Sequence, residues 1–210
     1  TERVEIVRGG PAPIYASSAA AIANNITVSG GPDARGKAQL TLGDTGLYRL
    51  DAMQSGPIGE RTYFAVGGFL RQHDGYRDGG FPSDKGGQIR ANLKHDLDNG
   101  FIKLSMQYTN DHNIFYLPIP VADPRNPTVS LDPYIDYHTG TLNSPALRNV
   151  NVKYRDGAGV LQGLNRDLAD GRHMRFFNVG LQYEGDFDGW LVSAKGGFTK
   201  GKSSFDAFYS

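Results

Sequence analysis

Between Asp111 and His138 the chain gathers side chains whose types can do chemistry: His112, Asn113, Phe115, Tyr116, Tyr134, Tyr137 and His138. Aromatic rings with a few polar groups are a common lining for a small-molecule site, the rings giving contact area and the polar groups orientation. Ordinary loop packing would use the same residues. Asp111, His112 and Asp123 invite a metal reading, but no His-x-x-x-His or comparable ligand spacing accompanies them. Nucleophilic catalysis has no support. There is no cysteine, Ser17-Ser18 has no His or Asp beside it, and Ser130-Leu131-Asp132 reads as loop. Gly9-Gly10-Pro11 lacks the Lys-Ser/Thr of a phosphate loop. The chemistry to expect is therefore binding, with no catalytic residue, resident cofactor or protein-held metal. A second charged set, Glu5 and Arg8, precedes a Gly-Gly turn. An arginine there can bond turn carbonyls, and a glutamate there can be a solvated strand charge.

The elements that must hold these residues are strands. Ile89, Ala91 and Leu93 alternate with Gln88, Arg90, Asn92 and Lys94; Ile102, Leu104, Met106 and Tyr108 alternate with Lys103, Ser105, Gln107 and Thr109. A side-chain period of two puts each set on its own face of a sheet. About seven strands follow from residue 37 onward. The first three are near 37–42, 47–55 and 61–72, and the alternating pair just described makes the fourth and fifth. Phe177, Val179, Leu181 and Tyr183 mark the sixth, and Trp190, Val192, Ala194 and Phe198 the seventh. Gly43-Asp44-Thr45-Gly46, Gly56-Pro57-Ile58-Gly59 and Asp98-Asn99-Gly100 are turns. The connection from His112 to His173 reads as a loop of about 60 residues, too long for a compact soluble domain but ordinary on the outer surface of a membrane barrel. Residues 1–35 differ. Val4, Ile6 and Val7 make a short strand, residues 9–13 a turn, and the small residues 17–23 suit a helical turn or close backbone packing.

Composition narrows the class. Lys plus Arg and Asp plus Glu are 22 each, so no net field draws nucleic acid. Gly at 28 with Tyr and Phe at 11 each favours an all-β chain. No run of about 18 apolar residues could cross a membrane as a helix, which says nothing of a barrel. Alternation fits two arrangements, apolar inside a soluble barrel or apolar towards lipid around a wet lumen. Short connections at one end and long ones at the other favour the second. The chain starts at Thr1 without an initiator Met and stops at Ser210 in mid-pattern, and it reads as a fragment of a longer protein.

Glu2-Arg3-Val4-Glu5-Ile6-Val7-Arg8-Gly9-Gly10, followed by Ile14-Tyr15-Ala16-Ser17-Ser18-Ala19, resembles the last part of the plug domain of TonB-dependent outer-membrane receptors. The family pattern is roughly E-R-I-E-V-L-R-G-P-x-S-x-L-Y-G, then small residues ending in G-G-x-I-N. Gly10 stands where Pro is usual, Ala16 where Gly is usual, and Ala23-Asn24-Asn25-Ile26 closes the run. Asp74-Gly75-Tyr76-Arg77-Asp78 and Phe115-Tyr116-Leu117-Pro118-Ile119-Pro120 look like early-barrel segments of such receptors. The resemblance implies residues 1–35 as the end of a plug and 36–210 as the first strands and extracellular loops of an antiparallel barrel of about 22 strands. It implies residence in the bacterial outer membrane, in contact with lipid and with the rest of the barrel. It also implies energy-coupled uptake of a scarce nutrient, foremost a ferric siderophore, driven by the inner-membrane protein TonB through a box outside this sequence. In that setting Arg8, with Glu5, would lock plug to barrel, and the 112–138 cluster would meet the ligand. A non-transporting scaffold or surface component and a soluble β-barrel binding protein remain the alternatives.

Overall fold

The computed structural model describes residues 2–8, 21–116, 120–127, 129, 131, 140–141, 143–169 and 171–205. Strands β1 (Arg3–Arg8) and β2 (Ala21–Ile26) pair antiparallel, Arg3 opposite Ile26 and Arg8 opposite Ala21. Residues 21–23, compatible with a helical turn by size, are therefore extended, because ladder bonds to β1 satisfy their backbone.

A single seven-stranded sheet follows. Its strands are β3 (Arg35–Leu42), β4 (Tyr48–Pro57), β5 (Thr62–His73), β6 (Asp84–Leu97) and β7 (Gly100–Asn113). A separate hairpin of β8 (Val150–Arg155) and β9 (Leu161–Arg166) lies in the long connection, after a 3-10 turn at Pro145–Leu147. β10 (Arg172–Phe187) and β11 (Trp190–Phe205) complete the sheet. Each sheet strand pairs antiparallel with its predecessor in the sheet, and β3 and β11 are the edges. The expected seven strands are all present in the expected order.

Two boundaries differ from expectation. β6 begins at Asp84, and β7 runs on through Asn113, so His112 and Asn113 lie in a strand and not in a loop. Apolar alternation stops near Ile89 and Tyr108, but pairing does not: Lys85 faces His112, and Asp84 faces Asn113. The polar ends of these strands are held by backbone ladders, which hydropathy does not report.

The register sorts side chains into two faces. One face carries Leu40, Leu50, Leu70, Val66, Leu93, Leu104, Leu181 and Phe198. It is open: Leu70 is 66% exposed, Leu181 54% and Trp190 78%. The buried hydrophobic residues among those described are only Ala65, Ile114, Leu168 and Ala169. The described residues thus build a large apolar surface and no apolar core beneath it. The other face carries every carboxylate of the seven strands: Asp51, Asp84, Asp96, Asp111, Glu184 and Asp186.

Among the described residues, the segment that crosses the sheet lies on the polar face. Residues 27–30 cross it, with Asn92 donating from Nδ2 to the Val28 carbonyl at 2.9 Å and accepting from Gly30 N–H at 3.4 Å. Gly30 is buried so close to β5 that a Cβ would stand 2.5 Å from the Phe64 backbone.

The apolar band is oblique to the hydrogen-bonded rows. Its limit towards the long connections is Leu42 on β3, Tyr48 on β4, Leu70 on β5, Ile89 on β6, Tyr108 on β7, Phe177 on β10 and Phe198 on β11. Leu42 shares a row with Tyr48, Gln72, Lys85, His112, His173 and Ser204. On β11 the limit therefore lies from Ser204 down to Phe198, six residues below that row. At about 3.3 Å per residue and about 4.8 Å per strand, the limit falls about 20 Å in about 29 Å, a slope of about 35°.

Candidate functional site

At the end of the polar face nearest the long connections, charged residues at alternate strand positions meet across strands. Arg71 of β5 donates from Nε to Asp111 Oδ1 at 3.1 Å and from Nη2 to Asp111 Oδ2 at 2.7 Å. The same guanidinium lies 3.4 Å from Asp84 Oδ1. Three adjacent strands are thereby joined by one two-pronged ion pair and a second carboxylate, an arrangement suited to the planar guanidinium. His73 Nδ1 lies 3.3 Å from Asp84 Oδ2, and His73 Nε2 is 2.6 Å from Thr45 Oγ1. Arg49 makes its own fork to Asp51, at 2.7 and 2.8 Å, and its guanidinium lies 4.3 Å from the centre of the Phe69 ring. These groups satisfy one another. They make a stiff charged wall and offer no activated nucleophile.

Beside this wall, between the sheet and the crossing segment, lies a cavity of about 850 Å³. Lys37, Gln39, Asp51, Gln88, Arg90 and Gln107 line it beside the apolar Met53 and Met106, with Thr27 and Val28 of the crossing segment. Its mixed charges and amides suit water or hydroxyl groups, the chemistry of a wet lumen.

Above the wall the connections build an aromatic cluster. The Tyr76 and Tyr116 rings are 4.0 Å apart, with the Arg77 guanidinium 5.5 and 5.9 Å from their centres. Arg77 also donates to the Gly140 carbonyl at 3.2 Å. Phe115 packs on Phe205 at 4.4 Å. The fully buried Asn143 anchors this region, accepting from Phe115 N–H at 2.9 Å and donating to the Leu168 carbonyl at 2.7 Å. Gly171, at φ 61°, closes the turn into β10 where a Cβ would stand 2.5 Å from the Asn113 carbonyl oxygen.

The residues singled out by sequence divide accordingly. Tyr116 belongs to the group with Tyr76 and Arg77, and Phe115 packs on Phe205. His112 and Asn113, adjacent in β7, point to opposite faces: Asn113 shares the polar face with Asp84, and His112 sits on the other face with its ring 5.7 Å from that of His173. The same parity separates Asp111 from His112, so those two cannot close on one metal ion. Glu5 accepts from Arg3 Nε at 2.8 Å and from Asn24 Nδ2 at 3.4 Å, both in its own hairpin. Arg8 is a strand residue whose side chain, like Tyr134, Tyr137 and His138, lies outside the described residues. Sequence reading passed over Arg71, Asp84 and Asn143, and named Arg77 only as part of the Asp74–Asp78 segment. Arg71 and Asp84 could have been found by extending the period of two beyond the apolar limit. Asn143 carries no sequence signal, because its role comes from burial.

No family model, curated protein or solved structure matches the chain. The site combines a cavity of mixed polar and apolar lining, a charged wall and aromatic loops, with no metal-holding cluster among the described residues.

Proposed function

We propose that residues 1–35 are the end of a plug domain and 36–210 the first strands of the barrel in a TonB-dependent receptor. The activity would be energy-coupled uptake of a scarce nutrient, foremost a ferric siderophore, across a bacterial outer membrane. The oblique apolar band carries this reading. Barrel strands tilt by about 35–45° from the barrel axis, so a flat hydrocarbon slab meets a tilted sheet along a line inclined by that angle to its hydrogen-bonded rows. The slope of about 35° falls within that range when strand rise and spacing are taken as usual. The covered polar face supports the same reading. A soluble barrel would bury Leu50, Leu70 and Leu181, whereas the chain lays its own crossing segment on the polar side. The two open edges, β3 and β11, would pair with the remaining strands of the barrel.

In this role the aromatic cluster and Arg77 would receive a rigid or anionic chelate, and the charged wall would hold the lumen rigid beneath it. Ligand binding would loosen the plug, and TonB would supply the work. The test is uptake of labelled ferric siderophores by cells making the intact protein, with and without TonB. Accumulation that disappears with TonB is the expected result. Accumulation indifferent to TonB, or none for any chelate or other large nutrient, would reject transport and favour a scaffold role. Folding of the intact protein in buffer without detergent would favour the soluble barrel.

A further inference from the structure

The apolar face is not neutral along its upper limit. Beyond the band its outward positions are Gly87 and Lys85 on β6, Asn110 and His112 on β7, Arg175 and His173 on β10, and Lys200 and Lys202 on β11, so most of them are basic. No carboxylate of the seven strands shares that face, since all six lie on the other. Lys85, Arg175, Lys200 and Lys202 are exposed. Their positions descend with the band. Lys85 stands in the Leu42 row, Arg175 and Lys202 in the Leu40 row, and Lys200 in the Ala38 row. Cations that track an inclined line on the sheet lie at one level once the sheet is tilted. A cavity of about 400 Å³ adjoins this line, lined by Lys85, Asn110, His112, Phe81, Ile114 and Arg148, the last also bonded to Asp167 at 2.8 Å.

We propose that this outward cationic shelf and its cavity bind the phosphate groups of an anionic lipid of the outer leaflet. The proposal rests on the barrel reading, which sets the apolar band in hydrocarbon. A point ligand needs convergent groups, whereas these cations are spread over several strands at the level where headgroups would lie. Lysines just beyond the band can also lay their methylene stems on it and keep the ammonium at headgroup level. Free phosphate shares the chemistry but has no use for a row that follows the band across strands.

The test uses the intact protein, delipidated in detergent and returned to phosphatidylcholine vesicles with or without diphosphoryl lipid A. Retained lipid A is counted by mass spectrometry for wild type, for Lys200→Gln/Lys202→Gln, and for the quadruple variant adding Lys85→Gln and Arg175→Gln. Wild type should retain lipid A, the double variant less, and the quadruple variant less by about tenfold or more, given the usual worth of a basic residue at an anionic surface. All three should insert equally into pure phosphatidylcholine. Equal retention by all three overturns the shelf and leaves the barrel reading intact. Failure of wild type to enter phosphatidylcholine overturns both. Complete release of lipid A by inorganic phosphate would assign the cavity to the free anion and overturn the headgroup site.

Discussion

Arg71 does the most at the scale of single residues, because its guanidinium holds carboxylates from two neighbouring strands and is only a quarter exposed. Arg71→Ala leaves Asp111 and Asp84 facing each other without the cation. We predict a loss of about 1–3 kcal/mol in denaturant unfolding of the folded protein, with Arg71→Lys recovering part of it, since an ammonium keeps the charge but not the fork. Full recovery by lysine would show that planar geometry is irrelevant there. Asn143→Ala should act locally. Removing the amide strands the Phe115 N–H and the Leu168 carbonyl, so hydrogen exchange at Phe115 should quicken while exchange in β5 and β6 stays as it was. Sequence carried the residue scale unevenly. Phe115 and Tyr116 could be picked out as an aromatic run, and each has a ring partner, Phe205 and Tyr76 respectively. His112 and Asn113 could not be placed, because two adjacent residues in the unrecognised end of a strand face opposite sides.

Among the elements, strands were legible where one face is apolar and illegible where both are polar. That is why the fourth and fifth strands were recognised at their centres and cut short at Asp84 and Asn113. The hairpin of β8 and β9 was missed for a different reason: Val150, Val152 and Tyr154 do alternate with Asn151, Lys153 and Arg155, but the run is only six residues long, and its exposed partner Leu161–Arg166 shows no alternation. Its turn is organised by Asp156, which accepts from Gln162 Nε2 at 2.9 Å and from the backbone of Ala158 and Val160 at 3.0 Å each. The Gln162 bond, then the Val160 N–H, holds this carboxyl below its usual range. A folded value below the unfolded one gives stability that is full above the unfolded carboxylate range, near 3.9, and lost as pH falls through the folded value. Amide signals of residues 156–162 should therefore lose order on acidification below about pH 4, and Asp156→Asn should abolish that step. Gly30→Ala should displace the crossing segment, since no side chain gives way at the Phe64 backbone; faster proteolysis near residues 27–31 is the readout.

At the scale of the whole molecule, the sheet and its strand order were readable from period and turns, but the inclination of the band was not. It needs the register, and register depends on pairings between segments far apart in the chain. The inclination makes a prediction that a flat apolar patch would not. Leu181→Arg, at mid-band on β10, should lower stability in lipid by about 2–4 kcal/mol, whereas Gln72→Arg, above the band on β5, should cost about 0–1 kcal/mol. Equal penalties in vesicle-based unfolding would argue against a hydrocarbon slab across this face. The small hairpin has a mechanical consequence as well. Arg3 faces Ile26, Glu2 N–H bonds the Ile26 carbonyl at 2.7 Å, and residues just beyond are clamped by Asn92. Tension applied at Glu2 against that clamp would load the hairpin at its open end. The rungs would then open in succession, like a zip, and not all together in shear, so a weak steady pull could peel β1 from β2 while the sheet kept its shape.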